Sequence, residues 1–501
     1  MPIAASASAK PYSPLSILLR FNALLLLLTA VSAVASAQSQ QNPAPPAAIA
    51  VSTTAPSVAA SEPASGGGST AGIAAPPPIG NPPAYTGIAL NPRAVSGLFY
   101  SGLLQQALGL SPDSALRVGG IVDIGGNWLV SGGLNPHQLS GDLASSFGAD
   151  VDMEKAFRIP GGEFYGSLGL YQGSNANGEA GSVQDYDNLA PGIDFHRTEL
   201  YELWWRQRLF KDRLIVKVGK INGTAEFDQV LIPVPVPETN VQDWTVSDLL
   251  YAPVGLNPTL FGRLPGSPNT AWGVTASFLP TNSVYASYGL FDGNGARGVQ
   301  TGLNIGPDFN SYKFHIGEVG YAWRLSDEGK PGRIAGGVWG QTGTLVTGNL
   351  TSVRGANGLY AFGSQRLWYQ NPGRDPSGLI GFLQFGDSNS GANIATRYVG
   401  TGLTALGLIP GRPGDSMGVG LAWSKLNTGQ FAGSIFFPDV PSPYVSTSLR
   451  PSETMLQADY QVVLIPYKVV VQGAYTAIPT PGQRPGIPWA NVLTLRVAAV
   501  F

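Results

Sequence analysis

Beyond residue 37 no stretch approaches the roughly 18–20 consecutive apolar residues of a membrane helix, yet segment after segment alternates apolar and polar residues with period two. Near the carboxy end Leu456, Ala458, Tyr460 and Val462 fall on one face, and Gln457, Asp459 and Gln461 fall on the other. In the run from Arg213 to Lys220, Leu214, Val216 and Val218 oppose Arg213 and Lys217; in the last segment Leu493, Leu495, Val497, Ala499 and Phe501 alternate with Thr494 and Arg496. A two-residue period places successive side chains on opposite sides of an extended strand, so these segments read as strands with one polar face. The same reading predicts about sixteen strands, an even number as bacterial barrels usually have. They start near residues 115, 143, 163, 198, 213, 270, 283, 313, 333, 357, 379, 395, 416, 453, 466 and 490.

The connections sort by parity. After even-numbered strands they are short or dense in Pro, Gly and charge, as at 209–212, 279–282, 327–332, 371–376 and 463–465. The link before residue 416 breaks this rule and leaves room for a miscounted strand. After odd-numbered strands the connections are mostly long: 173–197, 221–269, 291–312, 426–452 and 476–489. Tight turns on one side and long loops on the other are the mark of an outer-membrane barrel, and a soluble sandwich has no reason to sort its loops this way. Charged residues are only 12% of the chain, against about a quarter in soluble domains. The predicted fold is therefore an all-β, transmembrane antiparallel barrel of about sixteen strands, with Phe501 closing the last one.

The amino-terminal residues divide differently. Lys10 and Arg20 precede an apolar run containing Leu24 to Leu28, which ends in Ala35-Ser36-Ala37. That is the pattern of a secretory signal peptide over 1–37, with cleavage after Ala37, and it predicts export. Residues 38–92, built largely of Ala, Pro, Ser and Gly, cannot bury a core and are expected to be a disordered linker. The barrel domain is expected over 93–501. A net charge of −2 gives no basis for a nucleic-acid partner, and the absence of cysteine rules out disulfides and thiolate chemistry.

Several runs resemble the carbohydrate-selective porins of bacterial outer membranes. They are Leu116 to Asp123, Phe147 to Lys155 with Ile159 to Phe164, Thr198 to Arg206 leading to Lys220 and Glu226-Phe227, Gly378 to Gly386, and the segment from Glu453 onward. Two departures stand out: Lys220 is followed by Ile221-Asn222 where the family often has an acid, and the aromatic-glycine motif before the first strand is weak. The resemblance implies passive uptake of small sugars into the periplasm through an outer-membrane channel. The implied partners are those sugars, outer-membrane lipid and lipopolysaccharide, and the barrel-assembly machinery during insertion; a homo-oligomer is compatible with it.

A pore of this size has an aqueous lumen lined by the polar strand faces. Alternation puts Arg117 with Asp123, Asp150 with Asp152, Glu202 with Trp204 and Arg206, and Glu318 with Arg324 on inner faces; Arg366, Trp368 and Arg397 are further candidates. Arg117, Glu202, Trp204, Arg206 and Glu318 are expected near a constriction, where charged groups exchange hydrogen bonds with sugar hydroxyls. The alternative is that these charges only solvate the wall. Tyr201, Leu203 and Trp205 are expected opposite the Glu202 face, and Tyr321, Trp323, Tyr369 and Phe501 to face outward, the latter four as interfacial girdle residues. The loop 221–269, with Pro233, Pro235, Pro237, Trp244 and Tyr251, either folds inward to narrow the lumen or packs over the rim.

Three rival readings remain: a general diffusion porin, an adhesive or structural barrel, and a barrel enzyme. The enzyme has little support. Three histidines, His137, His196 and His315, stand without a nucleophile elbow or zinc-protease motif, and Glu199 and Glu202, three apart, are expected on opposite faces. No cofactor, metal site or catalytic residue is expected.

Overall fold

Alternation of apolar and polar residues produces sixteen antiparallel strands that close on themselves. The computed structural model describes residues 101–189, 196–231, 235–236, 241–242, 246–281, 283–297, 307–326, 329–347, 352–372, 377–428, 449–465 and 468–501. The expected signal peptide and the Ala/Pro-rich linker, like Pro233, Pro237 and Trp244, lie outside the described residues.

The strands are β1 Leu116–Ser131, β2 Leu139–Asp152, β3 Gly162–Gly173, β4 His196–Leu209, β5 Leu214–Ile221 and β6 Ala271–Phe278. They continue with β7 Val284–Asp292, β8 Lys313–Leu325, β9 Lys330–Val346, β10 Ser352–Tyr369 and β11 Gly378–Ser388. The last five are β12 Ala395–Leu406, β13 Ser416–Leu426, β14 Ser452–Ile465, β15 Val469–Ile478 and β16 Ala490–Val500. Each pairs with its sequence neighbours, and β1 closes on β16 in the register Ile121 with Val500 and Trp128 with Leu493. Closure leaves no unpaired edge, which is what lets a sheet cross a bilayer.

The parity of the connections holds only in part: those after β3, β5, β7 and β13 are long, but those after β9 and β11 are as short as the turns on the other side. The link 407–415 contains no strand. It is a turn held by Asp415, which accepts from Arg412 Nε at 2.8 Å, Tyr460 Oη at 2.6 Å and Val463 N at 3.0 Å. Outward positions are apolar, with Val338, Leu359, Leu383, Val419 and Leu456 all exposed on the barrel surface. Phe501 also lies on this side, its ring 5.2 Å from that of Phe147, in space that Gly120 leaves open.

Two bulges break the strict alternation and correct the predicted faces. Between β10 and β11 the register shifts between Arg366 and Trp368. As a result Trp368, expected inside, is exposed, and Tyr369, expected in the outer girdle, is buried beneath the Arg366 guanidinium at 4.7 Å. Between β3 and β4 the register shifts opposite Tyr201. The extra residue turns Tyr201 inward, where its hydroxyl accepts from Asn222 Nδ2 at 2.7 Å, and it leaves both Glu199 and Glu202 buried on the inner side. An added residue moves everything beyond it to the other face, and nothing in a two-residue period announces it. Arg397 also departs from expectation: beside an irregularity at the start of β12 it sits on the outer surface, paired with Asp387 at 2.8 Å.

Candidate functional site

The lumen is narrowed by the chain itself. After β5 the residues from Asn222 onward turn inward, and the described parts of 222–270 pack against the barrel wall on several sides. Asn222 starts the turn by accepting from Thr224 N at 3.1 Å, and Asn257 caps a second turn by accepting from Thr259 N at 3.1 Å. Short polar side chains thus supply local hydrogen bonds that a strand would otherwise provide. Leu249, Tyr251, Val254 and Leu260 in this loop are fully buried.

The wall is shaped to receive it. A side chain on Gly386 would sit 2.3 Å from Asn257 Oδ1, and one on Gly420 would sit 2.3 Å from Leu249 Cδ1, so glycine at these inner positions makes room for the loop. The loop is then tied down. Asn257 Nδ2 donates to Phe385 O at 2.9 Å, Gln384 Nε2 to Val254 O at 3.1 Å, and Arg263 Nε to Asn393 Oδ1 at 2.9 Å. Of the two positions left open for this loop by the sequence, the inward one is adopted.

A second loop, between β3 and β4, also folds in, which the sequence reading did not anticipate. Glu453 accepts from Ser182 Oγ at 2.9 Å and from Val183 N and Gln184 N at 3.0 Å, while Arg496 pairs with Asp187. Asn188 N donates to Leu250 O at 3.0 Å and Ala252 N to Asp185 O at 2.9 Å, joining the two loops.

The seven expected lining residues all lie on inner strand faces: three together on β4, Glu318 on β8, and Arg117, Asp123 and Arg366 apart from them. Glu202, Trp204 and Arg206 stand together on β4. Glu202 Oε1 accepts from Trp204 Nε1 at 3.2 Å and from Asn222 N at 3.0 Å; Arg206 pairs with Glu163 on β3. The Trp204 ring is 1% exposed, 4.9 Å from the Tyr165 ring and 4.4 Å from Lys217 Nζ, which itself pairs with Glu226 of the loop. Its faces are therefore occupied. Glu318 on β8 accepts from Asp228 N at 2.9 Å and from the hydroxyls of Tyr285 and Tyr360, each at 2.8 Å, so it anchors the loop directly.

Arg117 is separate from these groups. It pairs with Asp150 at the short-turn end, away from Glu318, and Arg366 lies toward that end as well. Asp123 is buried, and its Oδ2 has no hydrogen-bond partner among the described residues, although the Arg496 charge acts on it.

Lys217 lies on the polar face read for β5 but is not among the expected lining residues, and Glu163, Arg333 and Asp228 escape the sequence reading. Arg333 donates to Gln229 O of the loop and covers the Phe362 ring at 5.1 Å. Alternation alone could have placed Glu163, Lys217 and Arg333 inside; Asp228 lies in a loop, where no period applies. Burial pushes the Asp228 carboxyl well above its ordinary range, opposed by the hydrogen bond from Asn257 N and reinforced by Glu318. Glu199 pairs with Arg197, so each carboxylate of the Glu199 and Glu202 pair has its own local partner. No group of three or more His, Cys, Asp or Glu suited to a metal occurs among the described residues.

Residues 140–461 match the model of a family described as carbohydrate-selective porin, OprB family. Among solved structures, the high-pH structure of OprB from Pseudomonas putida aligns with a TM-score of 0.68 at 17% identity, covering 81% of this chain and 99% of that one. The low-pH structure of the same protein aligns over the same shares, with a TM-score of 0.48 and 13% identity. No curated protein sequence matches. The first structural likeness is one of fold, a single-chain barrel of the same architecture.

Proposed function

Since the chain belongs to the carbohydrate-selective porins of the OprB family, we propose that it takes small sugars passively across the outer membrane, selecting them where the inward loop meets the charged wall. The family is one of channels rather than enzymes. The observation that carries the reading is the loop at 222–270, seated on the inner glycines and anchored by Glu318. It converts an open lumen into a lined passage.

Neutral sugars offer many hydroxyls and no charge, so a selective wall needs donors and acceptors held in place without binding too tightly to release. Arg117, Asp123, Glu202, Arg206, Glu318 and Arg366 supply such groups on the inner face. Most are tied in ion pairs or loop contacts, which fixes their positions and moderates the field that a bare charge would exert. Trp204, packed between Tyr165 and Lys217, acts as a platform that positions Lys217 and Arg206 rather than as a stacking surface for a sugar ring. The remaining parts of the proposal are export by a leader cleaved after Ala37, insertion by the barrel-assembly machinery among lipid and lipopolysaccharide, and no catalytic role.

The test is single-channel conductance of the refolded mature protein in a planar bilayer, titrated with glucose and larger saccharides. Saturable closure by sugar is the expected result. Conductance that ignores sugars would reassign the protein as a general diffusion porin, and no conductance would sink the pore reading altogether.

A further inference from the structure

A cluster of buried oxygens joins the inward loop to the far wall. On β13 and β14, Ser416 is paired with Gln461 and Gly418 with Asp459, so these four make a two-by-two patch on the inner face. Gly418 is the missing side chain of the patch, and Asp248 from the loop fills its place. A Cβ on Gly418 would lie 2.5 Å from Asp459 Oδ1 and 2.6 Å from Asp248 Oδ1, so both carboxylates converge on one point. Ser416 stands beside the Asp248 carboxylate.

These oxygens are buried and unsatisfied. Asp248 is 0% exposed, Ser416 3%, Gln461 5% and Asp459 7%. Ser416 and Asp459 both lie within reach of the Asp248 carboxylate, but Asp248 Oδ1 and Oδ2, Asp459 Oδ1, Ser416 Oγ and Gln461 Oε1 make no hydrogen bond of good geometry among the described residues. Gln472 Nε2 donates to Asp459 Oδ2 at 2.9 Å, which orients that carboxylate and leaves its other oxygen facing Asp248. Two adjacent buried carboxylates repel each other, and orphaned buried acceptors are costly, so this arrangement calls for a positive charge between them.

We propose that Asp248, Asp459, Ser416 and Gln461 form a calcium site that pins the inward loop to the barrel wall. The donor set is entirely of hard oxygen, which selects calcium or magnesium over the transition metals. Calcium tolerates irregular geometry and bidentate carboxylates at about 2.3–2.6 Å, whereas magnesium demands a near-ideal octahedron. Asp248, with both oxygens available, suits the bidentate role. The site's function is mechanical: it links residue 248 of the loop to β14, opposite the Glu318 anchor on β8. It is independent of which solute the pore passes, so its failure would leave the sugar reading untouched.

The experiment is calorimetric titration of calcium into the chelator-treated, folded, full mature protein in detergent, with hydrogen exchange of residues 247–250 measured with and without calcium. One saturable site and slower exchange of these residues on calcium addition are expected. Asp248→Asn and Asp459→Asn should each weaken binding at least about tenfold, because carboxylate charge count sets affinity. Asp387→Asn, on the outer surface, should not. Heat-modifiable electrophoretic mobility verifies that each variant is folded. Absence of calcium binding in the folded wild type, or undiminished binding in both inner variants, would overturn the proposal. So would a protonated-carboxyl infrared band lost in Asp459→Asn without calcium uptake, which would assign the pair a shared proton.

Discussion

Replacing Glu318 by alanine should release the inward loop without unfolding the barrel. Glu318 is 3% exposed and accepts three hydrogen bonds, from Asp228 N of the loop, from Tyr285 on the adjacent strand β7 and from Tyr360 on β10, two strands away. Hydrogen bonds to a charged acceptor contribute about 1.5–3 kcal/mol each. The three share one acceptor and lumen water can replace part of the loss, so the whole change should cost about 3–6 kcal/mol. Glutamine is a sharper control. Its oxygen can keep the two bonds now made to Oε2, and the tyrosine hydroxyl at Oε1 can turn to accept from the amide, leaving a cost of about 1 kcal/mol.

At about 1.4 kcal/mol per tenfold, Glu318→Ala should lower the exchange protection of the Asp228 amide by about 10²- to 10⁴-fold, and Glu318→Gln by about tenfold or less. Because the loop occupies the lumen, the alanine variant should also conduct more. The assay is hydrogen exchange read by mass spectrometry, with single-channel conductance alongside. If alanine and glutamine behave alike, or if alanine changes neither protection nor conductance, the idea that Glu318 anchors the loop is wrong.

Two further predictions use the same loop. Gly386→Ala should overpack Asn257 at a cost of about 1–3 kcal/mol in loop docking, whereas Gly340→Ala, whose added Cβ meets nothing within 4 Å, should be silent; thermal unfolding and exchange of residues 255–260 compare them. Asp228→Asn should be tolerated or stabilising at neutral pH. Burial raises the folded carboxyl above its ordinary value of 3.8, so its contribution is fully present below that value and is lost as pH rises through the raised one. The amide keeps an acceptor for Asn257 N and removes this pH dependence, which exchange at Asn257 between about pH 4 and pH 8 would detect.

Much of the barrel was legible in the sequence because its signal is local. Alternation along β5, β14 and β16 depends on neighbours a few residues apart, so the strand number followed from counting. The inner placement of Arg117, Asp123, Glu202, Trp204, Arg206, Glu318 and Arg366 followed for the same reason.

What tertiary structure alone decided lies where the period fails or does not apply. The bulges at Tyr201 and beyond Arg366 sent Tyr201, Glu199, Trp368 and Tyr369 to unexpected faces, since one extra residue reverses a two-residue register. The course of the loops was equally hidden. Gly386, Gly418 and Gly420 read as ordinary strand glycines, and their use as seats for Asn257, Asp248 and Leu249 exists only once residues more than a hundred positions apart are brought together. Strand periodicity is written in neighbouring residues; the shape of the passage depends on which distant side chains are absent.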